Sequence, residues 1–192
     1  MNFERGFKTW AERTSSNLRR DLGLSPHEPL SPKLLAEFLD VLLHTPRDVP
    51  NITQDVLDQL LVHDPWGWSA VSVFRSGQAV VIYNPRHSAG RQASDIMHEL
   101  AHIILDHQPA TIVMSQDGSF IMRSYNEKQE NEANWLGWCL LLPRDALLRC
   151  VRQKLPMLEI TNIYGVTDTL VNFRIRVTGI ESQLKATARR YR

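Results

Sequence analysis

The pentapeptide His-Glu-Leu-Ala-His at residues 98–102 constrains this chain more than any other feature of its sequence. Residues four apart lie on one face of an α-helix, so His98 and His102 present two imidazoles to a single point. Glu99 lies one step around the helix, within reach of a water molecule held at that point. The H-E-x-x-H pattern is typical of zinc hydrolases, which combine two histidine ligands, an adjacent general base and an open coordination position.

The residues that flank this motif are apolar: Ile96, Met97, Leu100, Ala101, Ile103, Ile104 and Leu105. They predict a buried helix over about residues 88–106, for which Ser88 is the candidate cap. Polar side chains in such surroundings need partners, because a buried polar group without one is costly. Two histidines satisfied only by hydrogen bonds are the alternative to a metal site, and the spacing favours the metal.

A catalytic zinc site has three protein ligands, so a third must come from elsewhere in the chain. The positions at which metzincins have a further glycine and histidine are occupied here by Leu105 and Gln108. His107 follows His102 by five residues, which is about 500° of helical rotation and places it away from the ligand face. His107 is therefore predicted to be a surface or supporting histidine.

The next predicted helix offers three carboxylates as the third ligand. Glu127 is most simply an acidic residue favoured by the helix N-terminus. Glu130 is the preferred ligand, because Asn134 lies four residues later on the same face, and metal-bound histidines need a partner for their outer ring nitrogen. Glu132 remains the alternative.

The periodicity of the remaining sequence predicts an α+β fold. Pro32, after the cap Ser31, begins a helix whose apolar residues continue to Leu42, and a short helix capped by Thr53 follows Pro50. The other predicted elements are helices over 3–21, 127–142, 146–151, 158–164 and 168–177, one hairpin with strands 70–74 and 79–83, and a second with strands 111–114 and 120–123.

Composition narrows the class of protein. Of the 192 residues, 43% are hydrophobic and 22% are charged, with a formal net charge of +1, which is typical of a globular domain and argues against a strongly basic nucleic-acid binder. Cys139 and Cys150 are predicted to be small buried side chains in a reducing compartment. The sequence has neither a signal peptide nor a membrane span, so a cytoplasmic protein is expected.

Three segments resemble the ImmA/IrrE family of metallopeptidases. Residues 90–105 resemble the family's signature helix. Residues 130–143, with Glu-Asn-Glu-Ala-Asn followed by Leu-Leu-Leu-Pro, resemble its E-x-x-A-N…LLMP element. Residues 164–167 with Arg174 resemble its closing segment, and the resemblance covers about residues 15–180. Gly137 with Trp138 departs from the phenylalanine-alanine that the family usually has.

The resemblance implies a small zincin-like fold, in which a short β-sheet packs on the H-E-x-x-H helix. It implies that Glu130 is the third ligand, with His98 and His102, of one Zn²⁺ per chain. The motif itself predicts Glu99 as the catalytic base, and the spacing from Glu130 predicts Asn134 as a supporting residue. Ferrous iron also suits such a ligand set, and no organic cofactor is expected. Members of the family are cytosolic bacterial or phage proteases that cleave a helix-turn-helix repressor and so derepress stress or mobile-element genes.

The whole chain is predicted to be a single metallopeptidase domain. Residues 1–64 supply N-terminal helices, residues 65–142 the sheet and the zinc-site helices, and residues 143–192 a C-terminal, helix-turn-helix-like segment. The strand over residues 79–83 is the candidate edge for binding an extended peptide. The second hairpin is a candidate insertion beside the substrate cleft.

Two other functions remain open. Residues 160–177 place Arg174 and Arg176 on the second helix of a helix-turn-helix-like pair, before a basic tail that contains Lys185, Arg189, Arg190 and Arg192, so DNA binding is an alternative. A metal-stabilised interaction protein, such as a toxin–antitoxin partner, is the other. For the protease, Tyr83 or His107 is a candidate to stabilise the oxyanion.

Overall fold

The computed structural model describes residues 3–75, 77–107, 112–114, 121–123, 126–180 and 182–183, and it confirms the α+β class. The helices are α1 (Phe7–Asp21), α2 (Pro32–Phe38), α3 (Gln54–Asp58), α4 (Ala89–Ile104), α5 (Glu127–Leu141), α6 (Arg144–Arg152), α7 (Met157–Tyr164) and α8 (Asp168–Thr178). The strands are β1 (Val41–His44), β2 (Ala70–Arg75), β3 (Gln78–Tyr83), β4 (Ile112–Met114) and β5 (Ile121–Arg123).

Most predicted elements are present, and three of the four predicted caps form a side-chain hydrogen bond. Ser31, Thr53 and Thr167 each accept a hydrogen bond from the backbone amide three residues later, which fixes the starts of α2, α3 and α8. Ser88 begins α4 without a side-chain cap. Both hairpins form, β2 with β3 and β4 with β5, each pair antiparallel.

The sequence analysis did not predict strand β1, because it assigned the apolar residues up to Leu42 to the helix after Pro32. That helix ends at Phe38. Asp40 has a left-handed backbone (φ 53°), and the chain then runs extended and parallel to β3. Phe38 and Leu42 are each 46% exposed, so they do not face the core. An apolar run of this length suits both helix and strand, and pairing with β3 decides the matter.

The order β1-β3-β2 makes β3 the central strand of its sheet. Both backbone edges of β3 are occupied, so the prediction that residues 79–83 offer an edge to a peptide is wrong. In the part of the chain that the structure describes, β1 and β2 are each bonded on one side only, to β3. The open edges therefore belong to β1 and β2.

Helix α4 packs against this sheet, as expected, and it also contacts α5. Its fully buried residues Met97 and Leu100 belong to one core with Val81 of β3 and with Leu136 and Leu140 of α5. Burying such side chains stabilises the fold by about 1.5–3 kcal/mol each. Because α4 contacts both the sheet and α5, its position relative to each of them is fixed.

The C-terminal end of α5 is held by side chains from α1 and α8. Three of them donate hydrogen bonds to carbonyl groups there: Ser15 to Cys139 (2.7 Å), Arg19 to Leu140 (2.7 Å) and Arg174 to Leu142 (2.9 Å). Cations stabilise the carbonyl end of a helix. Burial lowers the pKa of Arg19 to about 10, so its guanidinium still carries a proton at neutral pH.

Arg174 also forms an ion pair with Glu12, with 2.5 Å between Nη2 and Oε1, and its side chain is fully buried. Helices α7 and α8 follow the predicted bounds, with Gly165 in a left-handed conformation between them. Nevertheless, Arg174 cannot face DNA as the helix-turn-helix interpretation expected, because it points into the protein. The basic tail named in that interpretation lies outside the described residues.

Cys139 and Cys150 are both buried and unpaired, as predicted. Burial raises the pKa of the Cys139 thiol to about 12, with a smaller contribution from Glu12. The reactive form of cysteine is the thiolate, so Cys139 is expected to be chemically inert in the folded protein.

Arg174→Met is expected to destabilise the protein by about 3 kcal/mol, because it leaves the Glu12 carboxylate without its buried partner. Arg176→Met on the exposed side of the same helix is the matched control and is expected to change stability by less than about 0.5 kcal/mol. Urea denaturation measures both. Equal effects would contradict an anchoring role for Arg174.

Candidate metal centre and active site

Helix α4 brings the two histidines of the motif together. Their Nε2 atoms are 3.1 Å apart, and both side chains are about one-fifth exposed. Met97, Leu100 and Ala101 occupy the buried face of the same turns. The amphipathic pattern of α4 thus points His98 and His102 away from the core and toward one another, at the helical spacing that the sequence predicted.

Helix α5 brings Glu130 to the same place. Its Oε2 lies 3.2 Å from Nε2 of His98, and its Oε1 lies 3.6 Å from Nε2 of His102. The approach is possible because α5 has Gly137 where it crosses α4. A Cβ atom at that position would lie 3.2 Å from the backbone oxygen of Met97 and 3.4 Å from the amide nitrogen of His98.

These three side chains lie close enough together to hold a metal ion. Their closest approaches are 3.1 Å between the two Nε2 atoms, 3.2 Å from Nε2 of His98 to Oε2 of Glu130, and 3.6 Å from Nε2 of His102 to Oε1 of Glu130. In a tetrahedral site with bonds of about 2.1 Å, ligand atoms lie about 3.4 Å apart. Among the described residues, His98, His102 and Glu130 form the one cluster of three metal-ligating side chains. Two imidazoles and a carboxylate suit zinc.

The charges of the cluster favour a deprotonated Glu130. Hydrogen bonds from His102 and His98 hold the pKa of the Glu130 carboxyl well below its usual range. Burial disfavours the protonated form of His98, but Glu130, Glu99 and Asn134 outweigh it and raise the pKa of that imidazole. The carboxylate form of Glu130 is the form that binds a metal ion.

Glu99 faces strand β2 and has a partner that the sequence analysis missed. The Oγ of Ser72 donates a hydrogen bond to Oε2 of Glu99, and the two atoms are 2.5 Å apart. In the sequence, Ser72 stands out as a hydroxyl residue within the apolar run of β2. Its separation of 27 residues from Glu99 does not by itself predict the contact. This contact places the carboxylate of Glu99 beside the open edge of β2.

The outer nitrogens of the two histidines differ in their surroundings. The buried Nδ1 of His98 makes no hydrogen bond of ordinary length and angle with a described residue, although the side chain of the predicted supporting residue Asn134 acts on His98 as a hydrogen-bond partner and raises the pKa of its imidazole. Nδ1 of His102 lies 3.0 Å from Nδ1 of His107. Nε2 of His107 in turn lies 3.4 Å from Oε2 of Glu132.

These contacts separate the roles of the two candidate carboxylates. Glu130 contacts the Nε2 atoms of His98 and His102, whereas Glu132 contacts His107.

His107 lies closer to the site than the sequence analysis expected. The argument from helical rotation, which placed His107 away from the ligands, assumed that α4 continues as far as residue 107. Helix α4 ends at Ile104, and Asp106 adopts a left-handed conformation (φ 50°) that turns His107 back toward His102. Both nitrogens of His107 are occupied, so it is not available to stabilise an oxyanion.

The family model of Peptidase M78, described as the IrrE N-terminal-like domain, matches residues 57–176. The chain belongs to this family. The match covers more than half of the chain, and it confirms the resemblance to ImmA/IrrE metallopeptidases and the small zincin-like fold. It includes both site helices, whereas α1, α2 and β1 precede it.

One solved structure with a similar fold is a Mycobacterium tuberculosis transcriptional regulator. Its TM-score is 0.52 at 16% sequence identity, and the alignment covers 91% of this chain and 48% of that one. The chain thus spans about half of the regulator's length, and at this identity the likeness concerns the fold alone. No curated protein matches the sequence. None of the described helices has the length and apolar character needed to cross a membrane.

Gly137→Val is expected to destabilise the protein by about 1–3 kcal/mol, because the added side chain collides with the backbone of α4. The collision also moves Glu130 away from the histidines, so zinc affinity should fall. Chemical denaturation and zinc titration measure the two effects. The control is Thr169→Val, at an exposed position of α8. Gly179→Val is unsuitable as a control, because Gly179 has a left-handed φ that would strain a valine there. Unchanged zinc affinity in Gly137→Val would contradict this account of the helix crossing.

Proposed function

We propose that the protein is a zinc-dependent endopeptidase. His98, His102 and Glu130 hold one Zn²⁺ per chain, and Glu99 is the general base. The observation that carries this proposal is that one ligand atom from each of these three side chains lies within 4.8 Å of the others, with Glu99 next to His98 on the same helix. When bound, zinc supplies a Lewis acid that polarises the scissile carbonyl and makes a water molecule more acidic.

The roles of the chain's own residues follow from their positions. The neutral imidazoles of His98 and His102 offer their Nε2 lone pairs, and the anionic Glu130 offers an oxygen. Glu99 accepts a proton from the attacking water and passes it to the departing amine. Ser72 holds Oε2 of Glu99, and no described residue hydrogen-bonds to the other oxygen, Oε1. That oxygen is the one we assign to the proton transfer.

We place the substrate along the open edge of β2 (Ala70–Arg75). An extended peptide can pair with an exposed strand through main-chain hydrogen bonds, and its alternate side chains then meet surface pockets. Ser72 joins this strand directly to Glu99, so a peptide bound there lies beside the proposed base. Val73 and Phe74 offer exposed apolar contacts on the same strand.

We propose a helix-turn-helix repressor as the substrate, cleaved in the cytoplasm to derepress stress or mobile-element genes. The family supports a protein substrate, and a transcriptional regulator shares the fold. The two unpaired cysteines suit a reducing compartment. We also propose that residues 1–192 act as one metallopeptidase domain, since α1 and α8 both bond to the end of α5.

DNA binding or a toxin–antitoxin type of interaction, each with a metal site, is the alternative. The burial of Arg174 counts against DNA binding through α8, since it leaves Arg176 as the exposed arginine of that helix. A steep, salt-dependent shift on duplex DNA would favour this alternative. Cleavage of a purified repressor would favour the peptidase.

Elemental mass spectrometry of untagged protein tests the metal site. We expect about one zinc per chain in the wild type, loss of zinc in Glu130→Ala, and retention in Glu132→Ala, because Glu132 faces His107 and not the ligand pair. A wild type that takes up no zinc even when zinc is supplied would overturn the proposed function. Loss of zinc in Glu132→Ala alone would reassign the third ligand.

Glu99→Gln is expected to keep the metal and to lower cleavage by at least about 100-fold, because an amide cannot take the proton from water. The assay incubates each protein with a purified helix-turn-helix repressor from the same genome, and fragments are identified by N-terminal sequencing. Zinc content measured in the same samples is the control. Retained cleavage by a zinc-loaded Glu99→Gln enzyme would rule out this mechanism.

A further inference from the structure

A series of side-chain contacts begins at His102 in the last turn of α4, passes through His107 and ends at the carboxylate of Glu132. Nδ1 of His102 faces Nδ1 of His107 at 3.0 Å, and Nε2 of His107 faces Oε2 of Glu132 at 3.4 Å. The side chains of His107 and Glu132 are only 8% and 13% exposed. The rings of His102 and His107 pack edge to face, with centroids 5.0 Å apart.

In this series of contacts, the nitrogen that carries the proton on His102 determines which nitrogen carries the proton on His107. A histidine that offers the lone pair of Nε2 to a metal carries its proton on Nδ1. Nδ1–H of His102 then donates to Nδ1 of His107, which must be unprotonated to accept. His107 consequently carries its proton on Nε2 and donates it toward Glu132. Each of the two N–H donors then has an acceptor, and both hydrogen bonds are directed from His102 toward Glu132.

Glu132 is well placed to end this series of contacts. Its second oxygen, Oε1, lies 4.0 Å from Nζ of Lys128, and that ammonium also pairs with Glu4. The ion pair with Lys128 uses Oε1 and the contact with His107 uses Oε2, so the two partners hold the carboxylate from different sides. The position of Glu132 on α5, two residues after Glu130, ties the series to the same helix that supplies the proposed third ligand.

We infer that His107 and Glu132 are positioning residues that hold His102 in the tautomer and orientation needed to bind the metal. This inference rests on the proposed zinc site. His98 is supported less closely, since among the described residues its buried Nδ1 makes no hydrogen bond of ordinary length and angle, and Asn134 acts on it only at longer range. The preorganisation of the histidine pair therefore depends on His102, and removing its partner should weaken the site as a whole.

Asparagine and leucine at position 107 distinguish a hydrogen-bonding role from simple packing. The side-chain oxygen of asparagine takes nearly the place of the imidazole Nδ1 and accepts a hydrogen bond from Nδ1–H of His102. Leucine fills a similar volume but accepts nothing. Glu132→Gln keeps an acceptor for Nε2–H of His107, whereas Glu132→Leu removes it.

The experiment measures zinc affinity by chelator competition in wild type, His107→Asn, His107→Leu, Glu132→Gln and Glu132→Leu. Removing such an outer partner typically lowers metal affinity 10–100-fold, which is the loss expected for His107→Leu. We expect a smaller loss for Glu132→Leu, and we expect the asparagine and glutamine variants to retain most of the affinity. His63→Leu, at an exposed histidine, is the control and should bind as the wild type does.

Urea denaturation of the metal-free proteins separates folding from binding, since only variants that fold as the wild type does are compared. If His107→Leu does not fold, the two Glu132 variants make the same comparison. Zinc binding by His107→Leu or by Glu132→Leu as tight as in the wild type would overturn the inference and leave the proposed function intact. Equal losses in His107→Asn and His107→Leu would also overturn it. Absence of zinc binding by the wild type would overturn both.

Discussion

The backbones of α4 and α5 meet at Gly137, where a side chain would press on the carbonyl of Met97. This close crossing sets the distance between the two helices and hence the distances from Glu130 to His98 and His102. A site of this kind tolerates errors of about 0.5 Å. The candidate metal centre therefore depends on a contact that contains none of its proposed ligands.

The C-terminal end of α5, away from Glu130, is held by buried hydrogen bonds. Two buried guanidiniums, of Arg19 and Arg174, bond to carbonyls at the end of α5, and Glu12 balances the charge of Arg174. Such a cluster is stable only while every member is paired. Because α1 supplies part of it, residues that precede the matched family region contribute to the position of the helix that bears Glu130.

The sheet organises the other side of the site. Because β3 is central, β2 is left with an open edge, and Ser72 on that strand reaches Glu99. One short strand thus bonds to the proposed base and has an unpaired backbone edge beside it. On the opposite side, the turn at Asp106 brings His107 behind His102. The proposed ligands and base are supported by neighbours that the motif itself does not contain.

The sequence alone determined the helical face of His98 and His102, both hairpins and the starts of α2, α3 and α8, because these follow from spacing and capping within a few residues. Which of Glu130 and Glu132 lies near the histidine pair, although they are only two residues apart, depends on how α5 crosses α4. Strand β1, the burial of Arg174 and the contact of His107 also came from tertiary structure. Each depends on partners distant in sequence or on a backbone turn, and local periodicity carries no information about either.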